Sequence, residues 1–281
     1  MSAKFVIVVL FLAVCLWFAF ELLFTAASFI LAAILGRRER RKTTKRLKPG
    51  RVLLEFVIEI GAAALTHFLV TVAGALRFRK SRVSLNVTTT PVLLIPGYFS
   101  NRGIWVFFIK LLRGLGAGHV HTIDPKPMWG DVRDLAKQVA DAVDAILSTT
   151  GAARVNLVGH SMGGLIARYY IEHLGGASKV GACVMLGTPN HGTLISRLGP
   201  GVCAKQMYPG SAFLADLNKF ESIEKRVKYV SIRSTFDNML VPSGNAILGG
   251  NTTNIALDHM GHLTMLYSSR VAKLVWENLR E

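Results

Sequence analysis

The sequence is poor in acidic residues and in cysteine. Its 17 Asp and Glu stand against 33 Lys and Arg, so the formal net charge is +16. Only three cysteines are present, and Cys15 lies within a long apolar stretch, so their number and spacing define no disulfide framework. A bridge between Cys183 and Cys203 stays open, and with it the redox state of the compartment. The cysteines therefore give no information about the fold.

Internal repeats, low-complexity segments and Gly/Ser-rich linkers are also missing. The chain therefore does not read as an array of repeats or as a string of linked domains. With 281 residues, 51% of them hydrophobic, it can bury one large core and still carry an extra segment. We expect residues 1–82 to form that segment, an N-terminal anchoring region with a basic linker. Residues 83–281 are then one folded domain.

Most of the excess positive charge lies near the N-terminus. Residues 1–82 hold 14 Lys and Arg against four Asp and Glu, and nine of these basic residues fall between Arg37 and Arg51. A basic chain can bind nucleic acid, but this run directly follows an apolar stretch and contains no aromatic residue. Such a run is typical of the flank of a membrane helix. We therefore expect a bilayer, and no nucleic acid, as partner.

The first apolar stretch, residues 5–35, contains a single charged residue, Glu21. It exceeds the roughly 20 residues that are needed to span a bilayer. A cleaved signal peptide has an apolar region of only about 7 to 15 residues, so a retained anchor is favoured. The prediction is an integral membrane protein with an N-terminal anchor, placed in the bacterial inner membrane.

A second apolar stretch, residues 52–78, carries Glu55, Glu59 and His67 among small residues. The two glutamates are four residues apart and share one face of a helix. Such a helix can cross the bilayer beside the first, lie on the interface, or lean on the folded domain, because intramembrane carboxylates are costly but not forbidden. The side of the membrane on which the domain lies stays open as well.

After residue 82, short runs rich in β-branched residues alternate with longer segments of helical periodicity. The clearest helix, residues 132–147, places Leu135, Val139, Val143 and Ile146 on one stripe. The alternation predicts an α/β fold with a mostly parallel central sheet flanked by helices, preceded by one or two apolar helices. The predicted strands are 83–87, 91–95, 120–123, 154–158, 180–186, 227–232 and 253–257, and the predicted helices are 104–115, 132–147, 162–174 and 263–279.

The pentapeptide Gly159-His160-Ser161-Met162-Gly163 matches the pattern G-x-S-x-G. A predicted strand precedes it and a predicted helix follows it, the context in which this pattern forms a nucleophile elbow. Gly159 and Gly163 let the chain turn sharply and let the helix approach the strand. His160 is expected to pack beneath the turn. We predict Ser161 as the nucleophile of a serine hydrolase.

A serine nucleophile needs a histidine base, and that histidine needs a carboxylate to hold its tautomer and stabilise its cation. With this elbow the chain order is Ser, then Asp or Glu, then His. Asp237 and His262 each follow a predicted strand and are favoured. Asp216 and Asp258 are alternatives for the acid, and His259 is the alternative base. Asp258 lies only four residues before His262 in the same loop, which places its carboxylate badly.

Ester hydrolysis also needs hydrogen-bond donors for the negative charge that develops on the substrate carbonyl oxygen. The backbone N–H of Met162, directly after the candidate nucleophile, is one predicted donor. The other is predicted at Tyr98, in the loop Pro96-Gly97-Tyr98 that follows the strand 91–95.

Over roughly residues 90–281 the chain resembles the bacterial triacylglycerol lipases of the α/β-hydrolase superfamily. The resemblance rests on Gly-His-Ser-Met-Gly-Gly at 159–164, Gly-Thr-Pro-Asn-His-Gly-Thr at 187–193 and Gly-His-Leu-Thr-Met-Leu-Tyr-Ser-Ser at 261–269. It implies the α/β-hydrolase fold and serine ester hydrolysis, with His262 as base and Asp237 as acid. Pro96 stands where such lipases often have a histidine. Larger members bind calcium through aspartates after the acid, which are missing here, so we expect no metal and no cofactor.

Residues 194–225 form a candidate cap. Their apolar side chains line an acyl groove, form a small lid, or form the buried face of a surface crossover. An anchored enzyme meets lipid at high local concentration, so the expected substrate is a lipid-like ester, cleaved through an acyl-enzyme. The alternatives are another acyl transfer on the same three residues, by a deacylase, thioesterase or phospholipase, and a non-catalytic membrane protein with this fold. The oligomeric state stays open.

Overall fold

Six short strands form one sheet at the centre of the molecule. The computed structural model describes residues 3–35, 49–75, 89–220 and 226–280. Every neighbouring pair of strands is parallel, and the order across the sheet is β2-β1-β3-β4-β5-β6. The strands are β1 (Val92–Ile95), β2 (Val120–Thr122), β3 (Val155–His160), β4 (Val180–Leu186), β5 (Lys228–Ser234) and β6 (Thr252–Leu257).

Eight α-helices lie in the described part of the chain. They are α1 (Ala3–Leu35), α2 (Pro49–Ala75), α3 (Val106–Gly114), α4 (Val132–Thr150), α5 (Met162–His173), α6 (Val202–Gln206), α7 (Ala212–Leu217) and α8 (Ser269–Arg280). Short 3₁₀ helices join several of them, at Arg102–Trp105, Gly176–Ser178, Leu194–Leu198, Asn218–Phe220, Ser243–Ala246 and Thr264–Tyr267.

Both faces of the sheet are buried, as a parallel sheet covered by crossover helices requires. Side chains alternate along each strand, so Leu93 and Ile95 of β1 pack with α4 and α5 on one face. Val92 and Leu94 pack with α3 and α8 on the other face. The strand order reverses at β1, which places the carboxyl ends of β1 and β3 beside a crevice at the edge of the sheet.

Helix α4 shows why the sequence pattern was informative. The Asp131 side chain accepts a hydrogen bond from the Arg133 backbone N–H at 2.8 Å, which caps the first turn. Gly151 ends the helix in the left-handed conformation, at φ 69°. The predicted stripe, including Leu135 and Val139, is buried against the sheet.

The predicted fold class, a mostly parallel sheet with flanking helices and apolar N-terminal helices, is confirmed. The predicted strand 83–87 lies outside the described residues, as do residues 221–225 of the candidate cap. One prediction was wrong: residues 263–279 do not form a continuous helix. Ser268 has extended backbone angles, φ −89° and ψ 118°, and separates a 3₁₀ turn from α8.

The boundary predicted between residues 82 and 83 also lies outside the described residues, so the domain division stays a prediction. Cys183 and Cys203 are both free thiols and both buried. The bridge between them that the sequence left open is therefore not formed.

Helices α1 and α2 bury small and polar side chains and expose large apolar ones. In α1 the buried residues Glu21, Thr25, Ser28 and Ala32 are spaced by four, three and four, which places them on one face. In α2 the buried residues include Glu55, Glu59, Ala62, Ala63 and Thr66, whereas both helices expose large apolar side chains elsewhere, among them Leu16, Leu23, Ile30, Leu53, Val57 and Phe68. A surface helix of a water-soluble domain has the opposite arrangement.

Both helices pack on the folded domain and on each other. The Oε1 atom of Glu21 in α1 lies 2.7 Å from Nδ1 of His67 in α2. The hydroxyls of Thr66 in α2 and Tyr267 share a hydrogen bond of 2.7 Å. Within these helices, Cys15–Leu35 and Gly50–Ala73 are each long and apolar enough to cross a membrane, by length and composition.

Candidate active site

Ser161 lies in the sharp turn between β3 and α5. Its backbone angles, φ 55° and ψ −125°, are in a region that residues with a side chain rarely adopt, at a cost of about 1–3 kcal/mol. The turn is possible because Gly159 and Gly163 lack side chains. A Cβ at Gly159 would lie 2.5 Å from the Gly163 carbonyl carbon, and a Cβ at Gly163 would overlap the Ile95 carbonyl oxygen. This is the local geometry expected of a nucleophile elbow.

Asp237 and His262 form a buried pair on two loops at the carboxyl ends of β5 and β6. The His262 Nδ1 atom lies 2.8 Å and 3.0 Å from the two carboxylate oxygens of Asp237. One of these oxygens also accepts hydrogen bonds of 2.8 Å from the backbone N–H groups of Met239 and Leu240. A carboxylate held in this way fixes the proton on Nδ1, so Nε2 is the nitrogen that is free to act as a base.

The pair is electrostatically coupled. Burial alone would raise the pKa of Asp237, but the charge of His262 and the hydrogen bonds that the carboxylate accepts lower it below its ordinary value. Burial alone would lower the pKa of His262, but the charge and hydrogen bond of Asp237, together with the charge of Glu59, raise it. His262 therefore accepts a proton more readily than a histidine in water.

The alternatives left open by the sequence lie elsewhere. The Asp258 carboxylate accepts a hydrogen bond from the exposed Thr235 hydroxyl at 3.2 Å. Asp216 lies 3.7 Å from the ammonium group of Lys219. His259 is in the left-handed backbone region, at φ 63°, and does not line the cavity described below. The structure thus brings Asp237, and neither rival acid, to the imidazole of His262.

His160 is buried beside His262, with the two ring centroids 4.6 Å apart. Its Nε2 atom lies 3.2 Å from the His262 backbone carbonyl oxygen. Burial and the neighbouring charge of His262 lower the pKa of His160 to about 3. His160 therefore stays uncharged at neutral pH and supports the loop of His262 without competing for its proton.

The Pro96-Gly97-Tyr98 loop passes directly over Ser161. A Cβ at Gly97 would lie 2.9 Å from the Ser161 Cβ, so only glycine allows this approach. The Tyr98 hydroxyl donates a hydrogen bond to the Pro200 carbonyl at 2.5 Å, and burial raises its pKa to about 12, with a smaller contribution from Cys203. Tyr98 directly follows Gly97 in this loop, and Met162 directly follows Ser161 and begins α5.

A cavity of about 520 Å³ opens above Ser161 and His262. Its volume falls within the range of about 300–1,000 Å³ that is usual for sites of small organic ligands. Six residues of the candidate cap line it, among them the apolar Ile195, Leu198 and Met207. Other apolar residues of the cap, including Phe213 and Leu214, are buried in the core instead. Residues of the cap therefore contribute both to the cavity wall and to the buried core.

Glu59 of α2 was not predicted as part of the site. Its two carboxylate oxygens accept hydrogen bonds from the backbone N–H groups of Leu263 and Thr264, at 2.8 Å and 2.9 Å, and from the Thr264 hydroxyl at 2.6 Å. A Cβ at Gly261 would overlap the Glu59 carboxylate. Glu59 thus holds the chain on both sides of His262. The available signal was a carboxylate that an apolar helix tolerates only when it has a partner.

Asn238 makes a second connection to an N-terminal helix. Its side-chain oxygen accepts a hydrogen bond from the His262 backbone N–H at 3.1 Å. Its side-chain nitrogen donates to the Ser28 hydroxyl of α1 at 2.8 Å. Ser28 is four residues before Ala32 on the buried face of α1, and that spacing was the signal in the sequence.

A comparison with known protein families matches the part of the chain that contains the elbow and the loops of Asp237 and His262. The model of the class 2 lipases matches residues 130–278, which is more than half of the chain and includes Ser161, Asp237 and His262. The chain belongs to the class 2 lipase family. The predicted resemblance to lipases of the α/β-hydrolase fold is confirmed.

Solved structures share the fold of this class 2 lipase. Aspergillus fumigatus lipase B matches with a TM-score of 0.63 at 18% identity, over 72% of this chain and 55% of that protein, so the chain spans just over half its length. Mature Bacillus licheniformis lipase BlEst2 matches with a TM-score of 0.60 at 16% identity, over 70% and 94%. A predicted CIB-like hydrolase from Thermoplasma acidophilum matches with a TM-score of 0.51 at 15% identity, over 70% of this chain and 89% of that protein. At such identities the likeness establishes the fold alone.

Within residues 3–35, 49–75, 89–220 and 226–280, no group of three or more His, Cys, Asp or Glu side chains is placed to hold a metal ion.

Proposed function

We propose that this class 2 lipase is a serine carboxylic-ester hydrolase with Ser161 as nucleophile, His262 as base and Asp237 as the acid that supports it. The observation that carries the proposal is the buried contact between Asp237 and Nδ1 of His262, beside a cavity that both His262 and Ser161 line. The strained elbow at Ser161 supports the same assignment, because it exposes the hydroxyl at the start of a helix.

The reaction follows from these positions. The Ser161 hydroxyl attacks the ester carbonyl carbon while His262 Nε2 takes its proton, and the charge of Asp237 stabilises the imidazolium. The backbone N–H groups of Met162 and Tyr98 donate to the oxyanion of the tetrahedral intermediate. The intermediate expels the alcohol, which receives the proton from His262. Water then attacks the carbonyl carbon of the acyl-enzyme while His262 Nε2 takes its proton. His262 returns that proton to the Ser161 oxygen as the carboxylic acid product leaves.

The proposed substrate is a lipid-like ester, and the proposed location is a membrane. The cavity is lined largely by apolar side chains, which suits an acyl chain. The outward apolar faces of α1 and α2 suit contact with lipid and support an N-terminal membrane anchor. Transfer of an acyl group from another lipid, a thioester or an acylated protein would use the same three residues.

The first experiment is hydrolysis of a p-nitrophenyl ester series, from short to long acyl chains, by the detergent-purified full chain and its Ser161→Ala variant. We expect the variant to lose activity by a factor of about 10⁴ or more, because no other group supplies the nucleophile. Ser231→Ala is the control, because Ser231 is a serine buried on β5, away from the elbow, whose hydroxyl donates to the Ala246 carbonyl.

Retained activity in Ser161→Ala would refute the assignment of the nucleophile. If the parent chain cleaves none of the esters, labelling by a fluorophosphonate decides whether Ser161 is a reactive nucleophile. Labelling of the parent, and not of Ser161→Ala, would keep the serine hydrolase and turn the search to thioesters and phospholipids. No labelling of the parent would contradict the proposed function.

A further inference from the structure

Helix α1 supplies one wall of the cavity above Ser161. It contributes six of the lining residues, Phe20, Phe24, Thr25, Ala27, Ser28 and Leu31. The opposite walls come from α2, from the Tyr98 loop and from the cap. The helix is fixed in this position by the hydrogen bond between Ser28 and Asn238, and by Phe29, whose ring centroid lies 5.1 Å from that of Phe236. The helix is therefore part of the binding site as well as a candidate anchor.

Ser28 of α1 and Glu59 of α2, two polar residues that line this cavity, already have partners. The Ser28 hydroxyl donates to the Thr25 carbonyl at 2.8 Å and accepts from Asn238. The Glu59 carboxylate accepts three hydrogen bonds from Leu263 and Thr264. Polar atoms that are satisfied within the protein leave an apolar ligand as the better fit to this wall.

The mouth of the cavity is rimmed by large apolar side chains that are also exposed. Phe20, Phe24, Phe99 and Leu198 all line the cavity, and Leu198 is 74% exposed. An exposed apolar rim around a binding site is unfavourable in water and favourable in contact with lipid. Phe20 and Phe24 also belong to the exposed apolar surface of α1, together with Leu16 and Leu23. The mouth of the cavity is therefore continuous with the surface that suits a bilayer.

We propose that the cavity binds the acyl chain of a bilayer lipid ester between α1 and the hydrolase domain, and that this chain enters laterally from the membrane past the Phe20 and Phe24 rim. Helix α1 is then a substrate-binding element that sets the preferred acyl-chain length. The proposal rests on the proposed ester hydrolysis, because it assigns the position of the acyl chain in that reaction.

A larger side chain on the cavity-lining side of α1 should narrow the cavity, and the rates of ester hydrolysis then test the proposal. Ala27→Phe places a ring at a lining position, and Ile30→Phe places the same ring three residues later, at a side chain that is 60% exposed and does not line the cavity. We expect Ala27→Phe to lower the ratio of palmitate to butyrate ester hydrolysis by about tenfold or more. Ile30→Phe should leave the ratio unchanged. An unchanged ratio in an active Ala27→Phe enzyme would overturn the proposal.

Photoaffinity labelling tests the site without turnover. The full-length Ser161→Ala variant in phosphatidylcholine vesicles is irradiated with a diazirine-bearing palmitic acid, and the labelled residues are located by mass spectrometry. We expect label on residues 20–31 of α1 that excess palmitate displaces. Label confined to the outward face of α1, and not displaced by palmitate, would contradict the proposal. Displaceable label together with an inactive parent would instead reject ester hydrolysis and retain the acyl-binding site.

Discussion

At the scale of single residues, the electrostatics of His262 determine how activity should depend on pH. In the proposed mechanism His262 must be uncharged to take the Ser161 proton, and the charges of Asp237 and Glu59 raise its pKa above the ordinary 6.5. Activity is then present above the raised pKa and lost as the pH falls through it. We expect the acidic limb of the kcat/KM profile to have its midpoint above pH 6.5. A midpoint at or below pH 6.5 would contradict the conclusion that Asp237 and Glu59 raise the pKa of His262.

Removing the charge of Asp237 should change that profile. Asp237→Asn keeps the shape of the side chain but cannot hold the same tautomer or stabilise the imidazolium, so we expect kcat to fall by about 10⁴ and the midpoint of the acidic limb to move down. Asp258→Asn is the matched control, because its partner is the exposed Thr235 hydroxyl. Comparable losses in both variants would return Asp258 to the list of candidate acids.

The close approach of Gly163 to β1 makes a prediction about stability. A Cβ at this position would overlap the backbone carbonyl oxygen of Ile95, which cannot move without disturbing the sheet. We expect Gly163→Ala to lower the free energy of unfolding by about 1–3 kcal/mol. Gly114→Ala, at the end of α3 with no atom within 4 Å of an added Cβ, should change it by less than about 1 kcal/mol. Denaturant unfolding in detergent measures both. Equal stability of the two variants would mean that the turn relaxes.

At the scale of elements, α2 acts on the active site through Glu59. Glu59→Gln replaces one acceptor oxygen with an NH₂ group, which cannot accept the hydrogen bonds of the loop that follows His262. We expect a lower kcat with little change in KM, and a shift of the acidic limb to lower pH because a negative charge near His262 is lost. The split between kcat and KM, measured with the pH profile, distinguishes positioning from a general loss of fold.

Glu55→Gln provides the control for α2. Glu55 is buried one turn earlier on the same helix, and its carboxylate pairs with Arg51 at 2.7 Å. The variant should keep both kcat and the pH profile. A pH profile that does not move in Glu59→Gln, with kcat reduced equally in both variants, would show that the two glutamates support the helix alone.

The elements that were predicted correctly are those with a local signal. The elbow at Ser161 is encoded within five residues by glycine spacing, and α4 by its stripe and caps. The break at Ser268 was missed because the residues on either side have helical periodicity, so only the packing of the 3₁₀ turn against α3 and α2 separates them.

The role of Glu59 was missed for a different reason. It depends on a contact across more than two hundred residues, and an apolar helix gives no periodic signal for its partner. The same holds for Ser28, whose partner Asn238 lies 210 residues away in the chain. Chain order after the elbow predicts Asp237 and His262 as site residues, and the structure brings these two together, whereas the residues that support their loops are fixed by packing alone.

At the scale of the whole molecule, both N-terminal helices turn their apolar sides outward. Lipid contact would satisfy these faces, whereas the basic run after residue 36 would add only attraction to charged headgroups. We expect the full chain to float with phosphatidylcholine vesicles in 1 M NaCl, where electrostatic attraction is screened beyond about 3 Å. Release by salt would show that charge, and not burial of α1 and α2, holds the protein on the membrane.

The hydrogen bonds that join Ser28 of α1 and Glu59 of α2 to the loops around His262 are also relevant to inhibitor discovery. A hydrophobic N-terminal segment is the part that would first be removed to obtain a soluble enzyme. A chain that begins at residue 83 would keep Ser161, Asp237 and His262, and a reactive probe could still label it. Its cavity would nevertheless lack the wall that α1 provides, and the loop after His262 would lose the acceptor that α2 provides. Compounds selected on such a fragment would be optimised for a pocket that the intact enzyme does not have.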